Sequence, residues 1–430
     1  MNNFKLSLAG KFIADLHIHS RFSRATSRQM NIETIAYWAA IKGIGLMGTG
    51  DFTHPEWFKE LNEGLELTEK GLYRLKEPLE TLPDTCSGEV FFVPTAEISC
   101  IYSKAGKTRK IHILIIMPTL EDVAVFNARL DRLGNITSDG RPILGLDAKL
   151  LAQLALEVND RALVVPAHAW TPHFSVFGSV SGFDSLEECF EDLTGHIYAI
   201  ETGLSSDPPM NWMLSKLDDI LLISNSDAHS PAKIGREANV MSIEPSYEAL
   251  YEAIRYGKGF DGTIEFFPEE GKYHFDGHRA CKVCLSPEET LKQGVKCPVC
   301  GKKMTLGVAH RVYELSDRPY GERPEGARAF ISLIPLQEII AEALSVGVSS
   351  KRVQQMFMKI VQELGPEFYI LNEAPIKEIE RVASVEIAEG VRRMREGRVN
   401  IRPGFDGEFG RIRLFEEPER YEIKGQVALF

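Results

Sequence analysis

The segment Ile13-Ala14-Asp15-Leu16-His17-Ile18-His19 sets two imidazoles on one side of an extended chain, because side chains alternate along a strand. One cation can take both. Asp15, two residues earlier on that side, is placed to orient an imidazole from behind. Asp-x-His-x-His alone is a weak signal, but more ligand-type residues follow in order. Residues 44–47 lead to Asp51, 90–93 to Glu97, 162–165 to His168, 197–200 to Glu201, and 220–223 to Asp227-Ala228-His229, while His112 lies inside the apolar run 111–116. Imidazoles and carboxylates placed strand after strand suit a multinuclear metal centre. Its natural chemistry is phosphoester hydrolysis, since such cations lower the pKa of water and neutralise phosphate oxygens. No Ser-His-Asp or Cys-His nucleophile arrangement is evident.

For these residues to meet, the strand ends must open on one face, as they do in a barrel of parallel strands joined by helices. Helix-like stretches do lie between the apolar segments. Residues 31–42 have Ile32, Ile35 and Ala39 on one face, Asn31 at the cap and Gly43 as a stop. Residues 146–158 and 247–256 read similarly. The expectation is an α/β fold: a distorted (β/α)7 barrel ending near Phe267-Pro268. One connection differs. A short loop around Ala105-Gly106 separates residues 96–102 from 110–117, which makes a hairpin of antiparallel neighbours. Centring its turn there pairs Ser99 with His112 and leaves Glu97 diagonally beside it on the same face. A slip of one residue would part them.

Beyond the barrel, Cys281-x-x-Cys284 and Cys297-x-x-Cys300 have the spacing of a structural zinc site in which four thiolates complete the tetrahedron. Cys86, Cys100 and Cys189 are scattered. His274 and His278 are possible substitute ligands, and the lysines around the cluster suit phosphates. The final third predicts helices over 336–344, 351–364 and, long or broken, 378–395. A hairpin is expected from residues 398–402 and 411–415. The domain division expected is 1–268 for the barrel, 269–312 for the zinc module and 313–430 for a mainly helical C-terminal domain. Two further groups are candidates for contacting substrate. Trp170, Phe174 and Phe177 follow His168 closely enough to stack on a base, or else they roof the barrel. Arg392, Arg393 and Arg395, with the hairpin around Pro403-Gly404-Phe405-Asp406-Gly407, form either a DNA-gripping surface or a solvated charged face.

With 44% hydrophobic and 26% charged residues in a chain of 430, the composition is that of a globular protein of two or three domains. No apolar run is long enough to cross a bilayer and the N-terminus has no signal-like core, so a cytoplasmic location is expected. The formal net charge of −12 argues against nonspecific nucleic-acid binding over the whole surface, though not against a local basic patch.

These motifs resemble those of a known family. Asp15-Leu16-His17-Ile18-His19, Thr49-Gly50-Asp51, Glu97-Ile98-Ser99, His112-Ile113-Leu114, Pro166-Ala167-His168 and Asp227-Ala228-His229 resemble the polymerase-and-histidinol-phosphatase (PHP) domain, a distorted seven-stranded metal-binding barrel. The resemblance implies one metal on His17, His19, Glu97 and Asp227, with Glu97 bridging to a second on His112 and His168. Asp51 and His229 would help hold a third. Asp51 stands where many members have His, and His54 is a possible compensation. Zn, Mg or Mn would fill the sites, with Asp227, Glu97 and His229 as catalytic residues and one further zinc structural. Over nearly the whole chain the sequence resembles the endonuclease Q family, through Ala169-Trp170-Thr171-Pro172, Ser224-Asn225-Ser226, the cysteine pairs and Gly390-Val391-Arg392-Arg393-Met394. That implies a metal-dependent DNA repair endonuclease. It would cut 5′ of deaminated bases (uracil, hypoxanthine, xanthine) and of abasic sites, acting as a nucleoid-associated monomer without a membrane partner. A phosphatase of small phosphomonoesters is the alternative; a non-enzymatic DNA-binding adaptor fits the intact ligand series less well. The last five residues, Gln426-Val427-Ala428-Leu429-Phe430, resemble the peptide by which bacterial proteins bind the sliding clamp, or else pack on the C-terminal domain.

Overall fold

Strand Phe12–Asp15 pairs parallel with Leu46–Gly48 and antiparallel with Ala238–Met241, which makes it the pivot of the N-terminal part. From Leu46–Gly48 the sheet continues parallel to Phe91–Val93, and from Ala238–Met241 antiparallel to Phe260–Glu265. The result is an eight-stranded mixed sheet. Thr95–Lys104 and Lys107–Ile116 form the long hairpin, in a four-stranded sheet with Ile143–Leu144 and Leu163–Pro166. Ala199–Glu201 pairs parallel with Leu221–Ile223. This computed structural model describes residues 6–86 and 88–416, so the motif at 426–430 lies outside the described residues. None of the described helices is long and apolar enough to cross a membrane.

The local signals act as their chemistry requires. Asn31 accepts the Thr34 amide and caps helix Ile32–Lys42, and Gly43 ends it at φ 86°, a left-handed conformation that glycine adopts without strain. The hairpin register pairs Ser99 with His112, as the turn position implied. Leu336–Leu344 and Lys351–Leu364 are helices, the second capped by Ser350. The stretch 378–395 is broken into Ile376–Val382 and Val385–Arg395, because the Ser384 side chain turns to cap the second helix.

The three stretches of chain share structure. Strand Ala329–Ser332 joins the N-terminal sheet, parallel to Phe260–Glu265. One apolar core runs from Leu6 to Phe415. The turn at 403–410 fastens the cysteine-bearing segment to the C-terminal hairpin. Gly404 O accepts the Phe275 amide at 3.0 Å, and Asp406 accepts the Thr305 hydroxyl and the Arg279 amide, each at 2.6 Å. A Cβ on Gly404 would lie 2.4 Å from Gly271 O, so only glycine allows this approach.

The first helix is tied to the C-terminal helices by a buried ion pair. Lys42 Nζ lies 2.7 Å from Glu367 Oε2, with both side chains under 5% exposed, and Glu367 Oε1 accepts the Leu336 amide. Removing one partner strands the other charge in the core. Lys42→Ala is therefore expected to lower unfolding free energy in urea by about 3–5 kcal/mol. Lys42→Met with Glu367→Gln, which keeps the acceptor for Leu336, should recover most of that. Equal losses in the single and double variants would mean that packing, not the stranded charge, sets the cost.

Candidate metal centre

Glu97 is 1% exposed and sits between two groups of ligand-type side chains. On one side His17, His19 and Asp227 converge, and on the other His112 and His168. His19 Nε2 lies 3.4 Å from Glu97 Oε2 and 3.1 Å from Asp227 Oδ1. His17 Nε2 lies 3.8 Å and 3.9 Å from the same two carboxylates. Glu97 Oε1 is 2.6 Å from His112 Nδ1 and 2.9 Å from His168 Nε2. His17 Nε2, His19 Nε2 and Asp227 Oδ1 are buried without a hydrogen-bond partner. Three orphaned polar atoms aimed at one point are costly unless something binds there. Imidazole nitrogens with carboxylate oxygens form a donor set that fits a divalent cation.

The tautomers follow from what stands behind each ring. His17 Nδ1 faces both oxygens of Glu201 at 3.0 Å, and His19 Nδ1 faces Asp51 Oδ1 at 2.9 Å. A carboxylate only accepts, so each Nδ1 carries a proton and each Nε2 is the nitrogen left facing the centre. Asn225 steadies Glu201 by donating to Oε1 at 2.9 Å. Burial opposes charge on His17 and His19, but the facing carboxylates outweigh it and hold both pKa values well above the ordinary imidazole value. Glu97 and Asp227 are correspondingly depressed, their imidazole neighbours overcoming burial. Burial dominates at His112, bringing it down to about 4.

Backbone strain collects at these strand exits. Asp51, His168 and Asp227 have φ of 47°, 29° and 46°, a region that non-glycine residues rarely occupy.

Asp51 stands behind His19 rather than at the open side of the centre. Both its oxygens are in use, Oδ1 by His19 and Oδ2 by the amide and hydroxyl of Ser20 at 2.6 and 2.7 Å. Asp15 orients no imidazole. It accepts the amides of Ser226 and Gly235 and so holds the loop that bears Asp227 and His229. His54 stacks on Phe22 and belongs to neither ligand group. His229 lies at the rim, its ring 4.4 Å from that of His19, with Nδ1 donating to the Asp227 carbonyl at 2.9 Å.

Of the three aromatics after His168, Trp170 and Phe177 belong to the core. Both are essentially unexposed, and Trp170 Nε1 donates to Asn211. Only Phe174 reaches the edge, half-buried, with its ring 4.7 Å from His112. The arginines of the last long helix are committed internally. Arg392 and Arg393 bind Glu389, Arg393 also caps Leu414 O, and Arg395 donates to the carbonyls of Ile370 and Leu371. One residue at the centre carried no motif: Arg141 donates to Glu97 Oε2 at 2.9 Å from a loop without pattern. At the second cluster His278, the substitute ligand that the sequence allowed, joins Cys281, Cys297 and Cys300.

The second cluster is built from two similar loops. Cys297-x-x-Cys300 is followed by Gly301 at φ 74°, and His278-x-x-Cys281 by Lys282 at φ 52°. The expected cysteine set is met at three positions, with His278 at the fourth. The strand register pairs Gly277 with Cys284 and His278 with Val283, so Cys284 leaves the opposite face of its hairpin from His278. Burial raises the Cys297 thiol, but the amides of Cys300 and Val299 more than offset this and bring it to about 7, which favours the ligating thiolate.

Two expectations follow. His278→Ala should remove about one equivalent of tightly bound metal, and Cys284→Ser should remove none; metal analysis showing the reverse would place Cys284 in the tetrahedron. Behind the first cluster, burial pushes Glu265 up to about 8 from an ordinary 4.5. The fold therefore holds the protonated form, and this contribution to stability is complete below about 4.5 and lost as pH rises to about 8. Glu265→Gln should flatten that decline in urea unfolding, and an unchanged slope would refute the assignment.

Residues 335–398 match the family model described as the MJ0043 C-terminal domain. Uncharacterized protein MJ0043 of Methanocaldococcus jannaschii is 33% identical over 280 residues, covering 62% of this chain, and the chain spans 34% of that protein's length. The crystal structure of the lesion-specific endonuclease PfuEndoQ from Pyrococcus furiosus superposes with a TM-score of 0.81 at 33% identity, over 95% of this chain and 96% of the other. Endonuclease Q in complex with a 27-mer duplex substrate, an abasic lesion at its active site, gives 0.80 at 33% identity, over 95% of this chain and 97% of that one. Similarity of this extent, end to end in both partners of each superposition, means that the chain belongs to the endonuclease Q family.

Proposed function

We propose that this protein is a metal-dependent DNA repair endonuclease that hydrolyses the phosphodiester 5′ of deaminated bases and abasic sites. The observation that carries the reading is the double ligand set around Glu97. Family membership supports DNA as the substrate, because the related complex holds a duplex with an abasic lesion. The N-terminal part is taken as a PHP-type metallophosphoesterase.

In this reading His17, His19, Asp227 and Glu97 would hold one cation, and His112 and His168, with Glu97, would hold a second. Cations bound there would provide water of lowered pKa and neutralise the phosphate oxygens. Glu201 and Asp51 hold a proton on each Nδ1, so Nε2 is the nitrogen each ring would give to a cation. His229 spends Nδ1–H on the Asp227 carbonyl, which leaves Nε2 at the rim to exchange a proton with the leaving oxygen. Burial lowers its pKa, so the ring is neutral near pH 7. Phe174 is the aromatic placed to stack against an extruded base or the gap beside an abasic sugar.

The test is nicking of duplexes containing deoxyuridine, deoxyinosine or an abasic site, against undamaged duplex and p-nitrophenyl phosphate, with and without Mg²⁺ or Mn²⁺. Lesion-dependent, metal-dependent nicking is expected, with no comparable turnover of the phosphomonoester. Asp227→Asn should lower nicking by more than about 100-fold, beyond the usual cost of losing an outer-shell partner, while lesion binding stays within a few-fold. Full activity of that variant in Mn²⁺ would remove Asp227 from the centre.

A further inference from the structure

The loop at 137–142 crosses beside the centre with its backbone pinned from several directions. Asp139 Oδ1 accepts the Ser23 hydroxyl and the amides of Arg24 and Arg141 at 3.1–3.3 Å. Gly140 N donates to Phe22 O at 3.0 Å, Gly140 O accepts the Thr53 hydroxyl at 3.2 Å, and Pro142 O accepts the Ser99 amide at 3.0 Å. A Cβ on Gly140 would lie 2.4 Å from Asp51 Oδ2, so glycine alone lets the loop close on the carboxylate behind His19. What this fixed loop delivers is Arg141. Its Nη1 lies 2.9 Å from Glu97 Oε2, and its side chain remains 27% exposed. Among the described residues, Nε and Nη2 have no hydrogen-bond partner. A guanidinium offers five donors in a planar fork, and here one edge is anchored while the rest stays available beside the ligand groups.

We propose that Arg141 holds the scissile phosphate: with Nη1 kept at Glu97, the free donors grip the non-bridging oxygens and stabilise the charge that builds on them in the transition state. The proposal rests on the reading of the Glu97 centre as a phosphoester-hydrolysing site. Neutralising Glu97 would not by itself call for an arginine, since a lysine could supply one charge and one bond. The bidentate geometry that phosphate requires does call for one.

The experiment compares wild type, Arg141→Ala and Arg141→Lys as metal-loaded full-length proteins. Bound metal, thermal midpoint, affinity for inorganic phosphate by calorimetry, and kcat and KM for nicking an abasic duplex are measured together. Both variants are expected to keep their metal. Phosphate affinity should fall about tenfold or more in Arg141→Ala, and kcat by about 100- to 1,000-fold, the usual cost of removing one preorganised transition-state donor. Arg141→Lys, which keeps a charge for Glu97 but loses the fork, should keep its thermal midpoint and recover little of either. Added guanidinium ion should restore part of the activity of Arg141→Ala. Loss of metal with phosphate affinity retained would make Arg141 a mere support for Glu97 and overturn the proposal. So would phosphate affinity and kcat within threefold of wild type, or full recovery in the lysine variant. The phosphate titration needs no nucleic acid, so a wild-type protein that binds phosphate through Arg141 but nicks no damaged DNA would refute the nuclease reading and leave this one standing.

Discussion

A single buried carboxylate organises the molecule. Glu97, taken out of water, can remain charged only because imidazoles and a guanidinium surround it: His112 and His168 on one oxygen, His19 and Arg141 on the other, His17 just beyond. Those partners come from three separate strand regions and a loop far apart in the chain. The strand order, the hairpin register and the clamped loop at 137–142 all serve that convergence. Slip the hairpin by one residue and His112 turns to the opposite face, taking from Glu97 the imidazole that lies 2.6 Å from it.

The next ring outward repeats the same solution. Glu201 stands behind His17 and Asp51 behind His19, each holding one imidazole proton so that the other nitrogen is free to bind. Behind them come acids kept neutral by burial. Glu265 is ringed by the hydroxyls of Thr202, Ser224 and Thr263, and burial raises its neighbour Glu237 well above the usual carboxylate range. The centre is thus a graded set of carboxylates, ionised where imidazoles and a guanidinium compensate them and protonated where burial outweighs the groups that would stabilise the charge.

Residues whose role depends on strand alternation were legible from sequence. Alternation puts His17 and His19 on one side, and a turn at Ala105-Gly106 pairs Ser99 with His112; both are short-range geometry. What failed was direction beyond the strand end. Asp51 has the right type and place, but a left-handed backbone turns it behind His19 instead of toward the opening. Asp15 lies on the correct face and meets two amides before it can meet an imidazole. The cysteine spacing pointed to Cys284, and only the pairing of Gly277 with Cys284 shows its side chain leaving the other face. Trp170, Phe177 and the helix arginines were ambiguous by composition, because an aromatic or a basic side chain reads the same whether it meets solvent, a ligand or its own fold. Arg141 had no local signature, since its place is set by Gly140, Asp139 and residues more than a hundred positions away.

Strand Ala329–Ser332 has a consequence for the order in which the chain can be made. It covers the edge of Phe260–Glu265, yet some sixty residues of sequence, including the cysteine cluster, are synthesised between them. Domains tend to fold as they leave the ribosome, first-made part first. Here the first-made sheet has one border with its amides and carbonyls unsatisfied until the later strand arrives. An open border of that kind is a template for pairing with another chain. The cysteine segment therefore lies in a kinetic interval as well as a spatial one: the faster it compacts, the shorter the time a nascent chain spends with that border open to its neighbours.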